Sequence, residues 1–123
     1  MDEGKEILKL CNTVQKIMRD ATRDLPIPAP NKSRAARKRI SVFTYGVISK
    51  LSVQSKLNKD DVYREYLMMG GLNTEQANII VRRTRDEFTQ QEFGKKCFTS
   101  GEDAVKKWVS GDKKIQSLVA AFL

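Results

Sequence analysis

The apolar residues of this chain recur at intervals of three and four, and this spacing constrains the fold more than any other feature. Residues three and four apart share one face of an α-helix. The clearest example lies between Glu3 and Leu25, where the apolar positions are Ile7, Leu10, Cys11, Val14, Ile17, Met18, Ala21 and Leu25. Residues 1–25 are therefore predicted to form an N-terminal amphipathic helix that packs against its own domain. Because the seam is close to a heptad repeat, a homodimer through this helix is the alternative.

Alternating prolines follow this helix. The run Pro26-Ile27-Pro28-Ala29-Pro30 removes backbone donors and keeps each residue that precedes a proline out of the helical conformation. Residues 26–32 are thus predicted to be a Pro-rich connector, and residues 33–123 a helical body. With 123 residues, 40% of them hydrophobic, the chain has the size of one domain overall.

A second helix is predicted from an N-cap at Ser33 to about Ser55. Its β-branched residues and Gly46 lower the helix propensity, and a strand around 41–53 is the competing interpretation. The apolar spacing favours a helix, with a buried stripe made of Ala36, Ile40, Phe43, Val47 and Leu51.

Capping signals predict the remaining helices. Asn58 or Asp60 caps a third helix that runs through Met69, where Gly70-Gly71 ends it. Asn73 with Gln76 forms the capping box of a fourth helix, whose buried face is expected to contain Ala77, Ile80, Val81, Thr84 and Phe88.

Beyond Gly94, a second capping box of Thr99 and Glu102 predicts a short helix through Trp108. Ser110-Gly111-Asp112 then breaks the chain before a last helix containing Ile115, Leu118, Val119 and Phe122. The expected fold is all-α, a compact bundle of five or six helices.

Positive charge is concentrated in one part of the chain. The net charge is +8, and seven basic residues but no acid lie between Asn31 and Lys56. Five of them, Lys32, Arg34, Arg37, Lys38 and Arg39, lie around the predicted start of the second helix. The helix dipole disfavours cations at this end, whereas free backbone N–H groups and cations together favour phosphate. The alternative is a solvated face neutralised by Asp20 and Asp24.

Two further basic groups are weaker candidates for nucleic-acid binding. Arg82, Arg83 and Arg85 are followed by Asp86 and Glu87, which are expected to pair with them. Residues 60–85 also have a helix-turn-helix outline, in which a groove would be faced by Thr74, Glu75, Asn78 and Arg82. A secondary basic set near Phe98 and Trp108 comprises Lys95, Lys96, Lys106 and Lys107, although Trp108 is better explained as a core residue on the face of Val105 and Val109.

Signatures of catalysis, cofactor binding and metal binding are missing from the sequence. Histidine is absent, and Cys11 and Cys97 are too far apart for a zinc motif, so they are interpreted as reduced core thiols. Ser110 and Lys113 match a Ser-x-x-Lys pattern without its companion motifs. No signal peptide or membrane span is recognisable, so a cytoplasmic location is expected, in the host if the protein is viral or phage-encoded.

Two functions from different classes remain. The first is a non-enzymatic nucleic-acid-binding protein, regulatory or architectural, that grips DNA or RNA phosphates through the start of the second helix. The alternative is a helical interaction module, such as an adaptor or phage-type inhibitor, that docks on an acidic or nucleic-acid-binding surface of a partner protein. Both functions depend on the same cluster of basic residues.

Overall fold

The computed structural model describes residues 3–23, 25 and 34–122. Within them the chain forms six α-helices and no strand, so the predicted all-α bundle is confirmed. The helices are α1 (Glu3–Thr22), α2 (Arg34–Ser55), α3 (Lys59–Met69), α4 (Thr74–Gln90), α5 (Glu92–Val109) and α6 (Gln116–Ala120). The predicted Pro-rich connector, Lys32, the Ser33 cap and Asp24 lie outside the described residues.

The apolar seam of α1 packs inside the chain, as predicted. Its buried residues include Leu10, Cys11, Val14, Ile17, Met18 and Ala21. The helix ends at Thr22, three residues earlier than expected, and the Leu25 backbone N–H donates to the Thr22 carbonyl at 3.3 Å. Since this seam is buried against the rest of the domain, it offers no free apolar face for a second copy.

Helix α2 is the central element of the bundle and packs against α1, α3, α4 and α5. Every residue from Val42 to Ser49 is buried. The predicted single stripe was therefore too narrow, and Ile40 is half-buried. A helix that neighbours surround on all sides carries no amphipathic pattern in its middle, which explains why the sequence there also resembled a strand.

Two glycines allow α2 and α5, the most extensively packed pair, to approach closely. A Cβ on Gly46 would lie 2.1 Å from the Phe98 carbonyl oxygen. A Cβ on Gly101 would lie 2.1 Å from the Phe43 carbonyl oxygen. Both glycines cost helix propensity, and backbone-to-backbone packing offsets that cost.

The predicted capping box at Thr99 and Glu102 was wrong, because α5 begins at Glu92 and runs without a break through both residues. Gly94, interpreted as a helix end, lies inside α5. A Cβ there would come within 2.3 Å of the Phe88 carbonyl oxygen, so the sharp turn from α4 into α5 requires a glycine. This glycine reflects close packing and does not terminate a helix.

The capping predictions for α3 and α4 are confirmed. The Asn58 side chain, not that of Asp60, caps α3 by accepting from the Asp60 and Asp61 backbone N–H groups. Asn73 and Gln76 form the expected capping box of α4. The turn between these helices contains Gly71 at φ +105°, a left-handed conformation that favours glycine.

Candidate nucleic-acid interface

The first turn of α2 carries basic residues and no acid. Arg34 and Arg37 are exposed, and Lys38 is half-buried. Spacings of three and four place Arg37 and Lys38 beside Arg34 on neighbouring parts of the helix surface. The unfavourable arrangement of cations at a helix N-terminus, inferred from the sequence, is therefore present in the fold.

The charges of Lys38 of α2 and Arg83 of α4 both act on one acid, Glu87 of α4. Glu87 is 7% exposed. Burial raises the pKa of its carboxyl, whereas Lys38 and Arg83 oppose this rise electrostatically and Asp86 reinforces it. One cation from each of the first two basic groups of the sequence therefore acts on this buried carboxylate.

Arg39 has structural partners within the protein. Its guanidinium donates to the Phe122 carbonyl oxygen at 3.4 Å and lies 5.5 Å from the centroid of the Phe93 ring. These contacts tie the start of α2 to α5 and to the end of the chain. Arg39 consequently has less freedom to bind a ligand than Arg34 or Arg37.

Lys96 of α5 lies on the same side of the molecule as Arg39 of α2, because the charges of both residues act on the Cys97 thiol. Burial raises the pKa of the Cys97 thiol, and the charges of Arg39 and Lys96 both oppose that rise. Lys95 and Lys96 are exposed on α5. This part of the secondary basic set therefore lies near the start of α2, although more than fifty residues separate the two in sequence.

We name the group of Arg34, Arg37, Lys38, Arg83 and Lys96 the basic surface. Within the described part of the chain, none of its members makes an ion pair. Asp20 does not neutralise it, because its two oxygens accept from Arg23 at 2.8 Å and from the Trp108 indole at 2.9 Å. The surface holds a net excess of positive charge beside one buried acid.

Arg85 is separate from the basic surface. Its guanidinium binds Asp60 of α3 at 3.0 Å, so the prediction that Asp86 or Glu87 would pair with it was wrong. The other oxygen of Asp60 accepts from the Tyr45 hydroxyl at 2.7 Å. Burial and the bond to Asp60 both raise the pKa of Tyr45, which keeps the phenol a neutral donor.

The helix-turn-helix outline corresponds to α3, the turn at 70–73 and α4. The four residues predicted to face a groove, Thr74, Glu75, Asn78 and Arg82, are all exposed. Asn78, however, accepts from Arg64 of α3 at 3.2 Å, and Arg64 also pairs with Asp61. One of the four positions predicted to face a groove is thus engaged within the protein.

Lys106 and Lys107 are exposed in the last turn of α5, at the opposite end of this helix from Lys96. Ten residues of helix separate Lys96 from Lys106, about 15 Å along the axis. The secondary basic set therefore divides into two parts, of which Lys95 and Lys96 lie near the basic surface and Lys106 and Lys107 lie near Trp108.

Sequence reasoning treated Glu87 as a surface partner of the neighbouring arginines and missed its burial. The signal was present in the helical spacing, since Glu87 lies three residues after buried Thr84 and six after buried Val81. An acid on the apolar face of a helix requires a nearby cation or a raised pKa, and Glu87 has both.

Cys11 and Cys97 are free and buried, as predicted, and burial raises the pKa of Cys11 to about 11. Among the described residues, no group of His, Cys, Asp and Glu side chains could hold a metal ion. Of the helices described, none has the length and apolar character needed to cross a bilayer.

No protein-family model, no curated protein and no solved structure matches this chain.

Proposed function

We propose that this protein binds nucleic acid without catalysing a reaction, and that the basic surface contacts the phosphate backbone. The observation that carries the proposal is the uncompensated positive charge at the start of α2, with basic residues of α4 and α5 within electrostatic range of that end of the helix. Lys38 and Arg83 act on Glu87, and Arg39 and Lys96 act on Cys97. Cations held together at a cost in self-repulsion are explained by a polyanionic ligand.

Phosphate contact fits this surface better than base reading. Arginine binds a phosphate through two parallel N–H groups, and lysine binds it as a point charge. Neither needs the positional accuracy that base edges demand. With Asn78 already bonded to Arg64, the exposed face of α4 has fewer free base-reading groups. We therefore expect weak sequence selectivity on duplex DNA.

Two double variants that each replace two basic residues with neutral glutamine, and so have equal net charge, test the proposal. The first double variant, Lys38→Gln with Arg83→Gln, removes the two cations at Glu87. The control, Lys5→Gln with Lys9→Gln, removes two exposed lysines of α1, so both variants lose two charges. Binding of labelled duplex DNA, single-stranded DNA and duplex RNA is measured by fluorescence anisotropy at two salt concentrations.

We expect the first variant to lose about tenfold or more in affinity and about two units of the salt slope, one for each phosphate contact. The control should change affinity by less than about threefold, through long-range charge alone. Equal losses in both variants, with circular dichroism unchanged, would contradict a localised phosphate site.

A second function has one observation in its favour. Ile79 is 46% exposed on α4, three and four residues before Arg82 and Arg83. An apolar side chain beside two arginines is typical of protein interfaces, whereas a phosphate contact does not use it. A partner protein with an acidic, partly apolar surface is therefore the alternative ligand.

Ile79→Ser distinguishes the two functions. A protein partner recognised through α4 would bind this variant much more weakly, since a buried apolar anchor would be lost. Duplex DNA bound through phosphates would be unaffected. Unchanged affinity for DNA, together with loss after Lys38→Gln and Arg83→Gln, supports the nucleic-acid proposal.

A further inference from the structure

Trp108, the single tryptophan of the sequence, is half-buried near the end of α5. Its indole N–H donates to Asp20 of α1 at 2.9 Å, and Asp20 also accepts from Arg23 at 2.8 Å. Asp20 is buried, so both of its oxygens are used inside the protein. The ring is therefore fixed in orientation before any ligand arrives.

A turn after α5 brings a lysine over this ring. The Gly111 N–H bonds to the Trp108 carbonyl at 3.1 Å, and the Asp112 N–H bonds to the Lys107 carbonyl at 2.9 Å. This pair of bonds, with Gly111 at φ +103°, is a Schellman motif that reverses the chain. It places the Lys113 ammonium 3.4 Å from the centroid of the Trp108 ring.

Lys113 is exposed, and its ammonium covers one face of the ring. Its ammonium also donates to the Trp108 carbonyl oxygen at 3.1 Å. Among the residues described, Lys113 makes no ion pair. It can therefore leave the ring without exposing an unpaired buried charge.

We infer that Trp108 is a stacking platform for an unpaired nucleobase, which replaces Lys113 on the ring while Lys113 moves to the adjoining backbone phosphate. Stacking of a base on an aromatic ring is stronger than an exposed contact between a cation and a ring, so the exchange is favourable. The displaced ammonium keeps an anionic partner in the complex. Lys107 and Lys114, exposed on either side in sequence, add positive charge along the path of the strand.

This site is distinct from the basic surface and takes a different form of nucleic acid. Duplex DNA keeps its bases stacked inside the helix, so it cannot place a base on Trp108 without unpairing. Single strands offer their bases freely. The inference goes beyond the proposed function, and either can fail without the other.

Intrinsic fluorescence of the wild-type protein tests the inference, since all tryptophan emission comes from Trp108. The probe is an oligothymidylate of about 12 nucleotides, within the range of a short single-strand site. An abasic oligomer of equal length carries the same phosphates without bases, and a blunt duplex carries paired bases. We expect quenching by the oligothymidylate and little change with the other two.

The oligothymidylate affinities of variants test the inference independently of the fluorescence measurement. Trp108→Leu should weaken oligothymidylate binding about five- to a hundredfold, the loss of one stacked base, whereas Trp108→Phe should retain most of the affinity. Val109→Ala is the matched control, because this neighbour is 66% exposed and outside the platform. Duplex affinity should be the same in all three variants.

Two results would overturn the inference. One is the absence of quenching by the oligothymidylate. The other is equal quenching by the abasic oligomer, which would mean that phosphate merely draws Lys113 away from the ring. Both are measured on the wild-type protein, so a Trp108→Leu variant that fails to fold does not affect the decision. Loss of duplex binding after Lys38→Gln and Arg83→Gln, with quenching intact, would show that the two sites act separately.

Discussion

Replacing Gly101 with alanine tests the packing that holds α2 in place. The new Cβ would lie 2.1 Å from the Phe43 carbonyl oxygen, 2.9 Å from the Val47 backbone nitrogen and 3.1 Å from the Gly46 Cα. All three are backbone atoms, so no side chain can rotate away. The helices α2 and α5 must separate by about 1 Å to restore van der Waals contact.

The expected cost is the balance of two opposing effects. Alanine improves helix propensity by about 1 kcal/mol relative to glycine. Overpacking of a rigid contact costs up to about 3 kcal/mol. A net destabilisation of about 2 kcal/mol corresponds to a fall in melting temperature of roughly 8 °C for a domain of this size.

Thermal unfolding followed by far-ultraviolet circular dichroism measures this fall. Gly71→Ala is the control, because its φ is +105° but no atom lies within 4 Å of the added Cβ. This variant should lose only the cost of backbone strain, about 1 kcal/mol. A Gly101→Ala protein as stable as the wild type would refute the close approach of α2 and α5.

Two further variants probe buried polar groups. Burial raises the pKa of Glu87, so its contribution to stability is fully present below the unfolded pKa and is lost as pH rises through the folded pKa. Glu87→Gln should therefore reduce the loss of melting temperature between about pH 4 and 7, measured by thermal melts at several pH values, and a steeper pH profile would contradict this. Because the variant also removes a negative charge, its affinity for duplex DNA, measured by anisotropy, should rise about two- to fivefold. Asp60→Ala leaves the buried Tyr45 hydroxyl without its acceptor and should cost about 1 to 3 kcal/mol in urea unfolding. Asp61→Ala, which removes an exposed ion pair, should cost less than about 1 kcal/mol, and equal costs would argue against the Tyr45 bond.

Local chemistry made most of the helix boundaries predictable from sequence. Asn73 and Gln76 satisfy each other's backbone groups within four residues, so their pattern needs no tertiary information. The same holds for Asn58 and for the glycine turn after α3. Thr99 and Glu102 had an equivalent pattern and failed, because the helix that begins at Glu92 already satisfies the backbone there.

Glycines in close helix contacts cannot be interpreted from local sequence, and Gly94 was wrongly predicted to precede a helix. Gly46, Gly94 and Gly101 all lie inside helices, where sequence reasoning interprets a glycine as a weak point or an end. At each of these positions a side chain would collide with a neighbouring backbone, so only glycine fits. That requirement depends on residues more than fifty positions away for Gly46 and Gly101, and no local pattern encodes it.

Some residues of the candidate site could be predicted from local sequence, whereas others are placed there only by tertiary packing. The uncompensated cations at Arg34 and Arg37 were visible in the sequence, since they depend on local charge and a helix start. The addition of Arg83 and Lys96, the structural role of Arg39 and the capture of Arg85 by Asp60 are consequences of tertiary packing. The sequence therefore indicated where the surface begins but not which residues complete it.

The dependence of duplex DNA affinity on salt concentration tests the central proposal most directly. If each of the five cations of the basic surface binds one phosphate, each contact contributes about −0.9 to the slope of log K against log salt. We therefore predict a slope of roughly −4 to −5, with weak discrimination between unrelated duplexes. A flat response would contradict phosphate binding and indicate a protein partner recognised by shape and apolar burial.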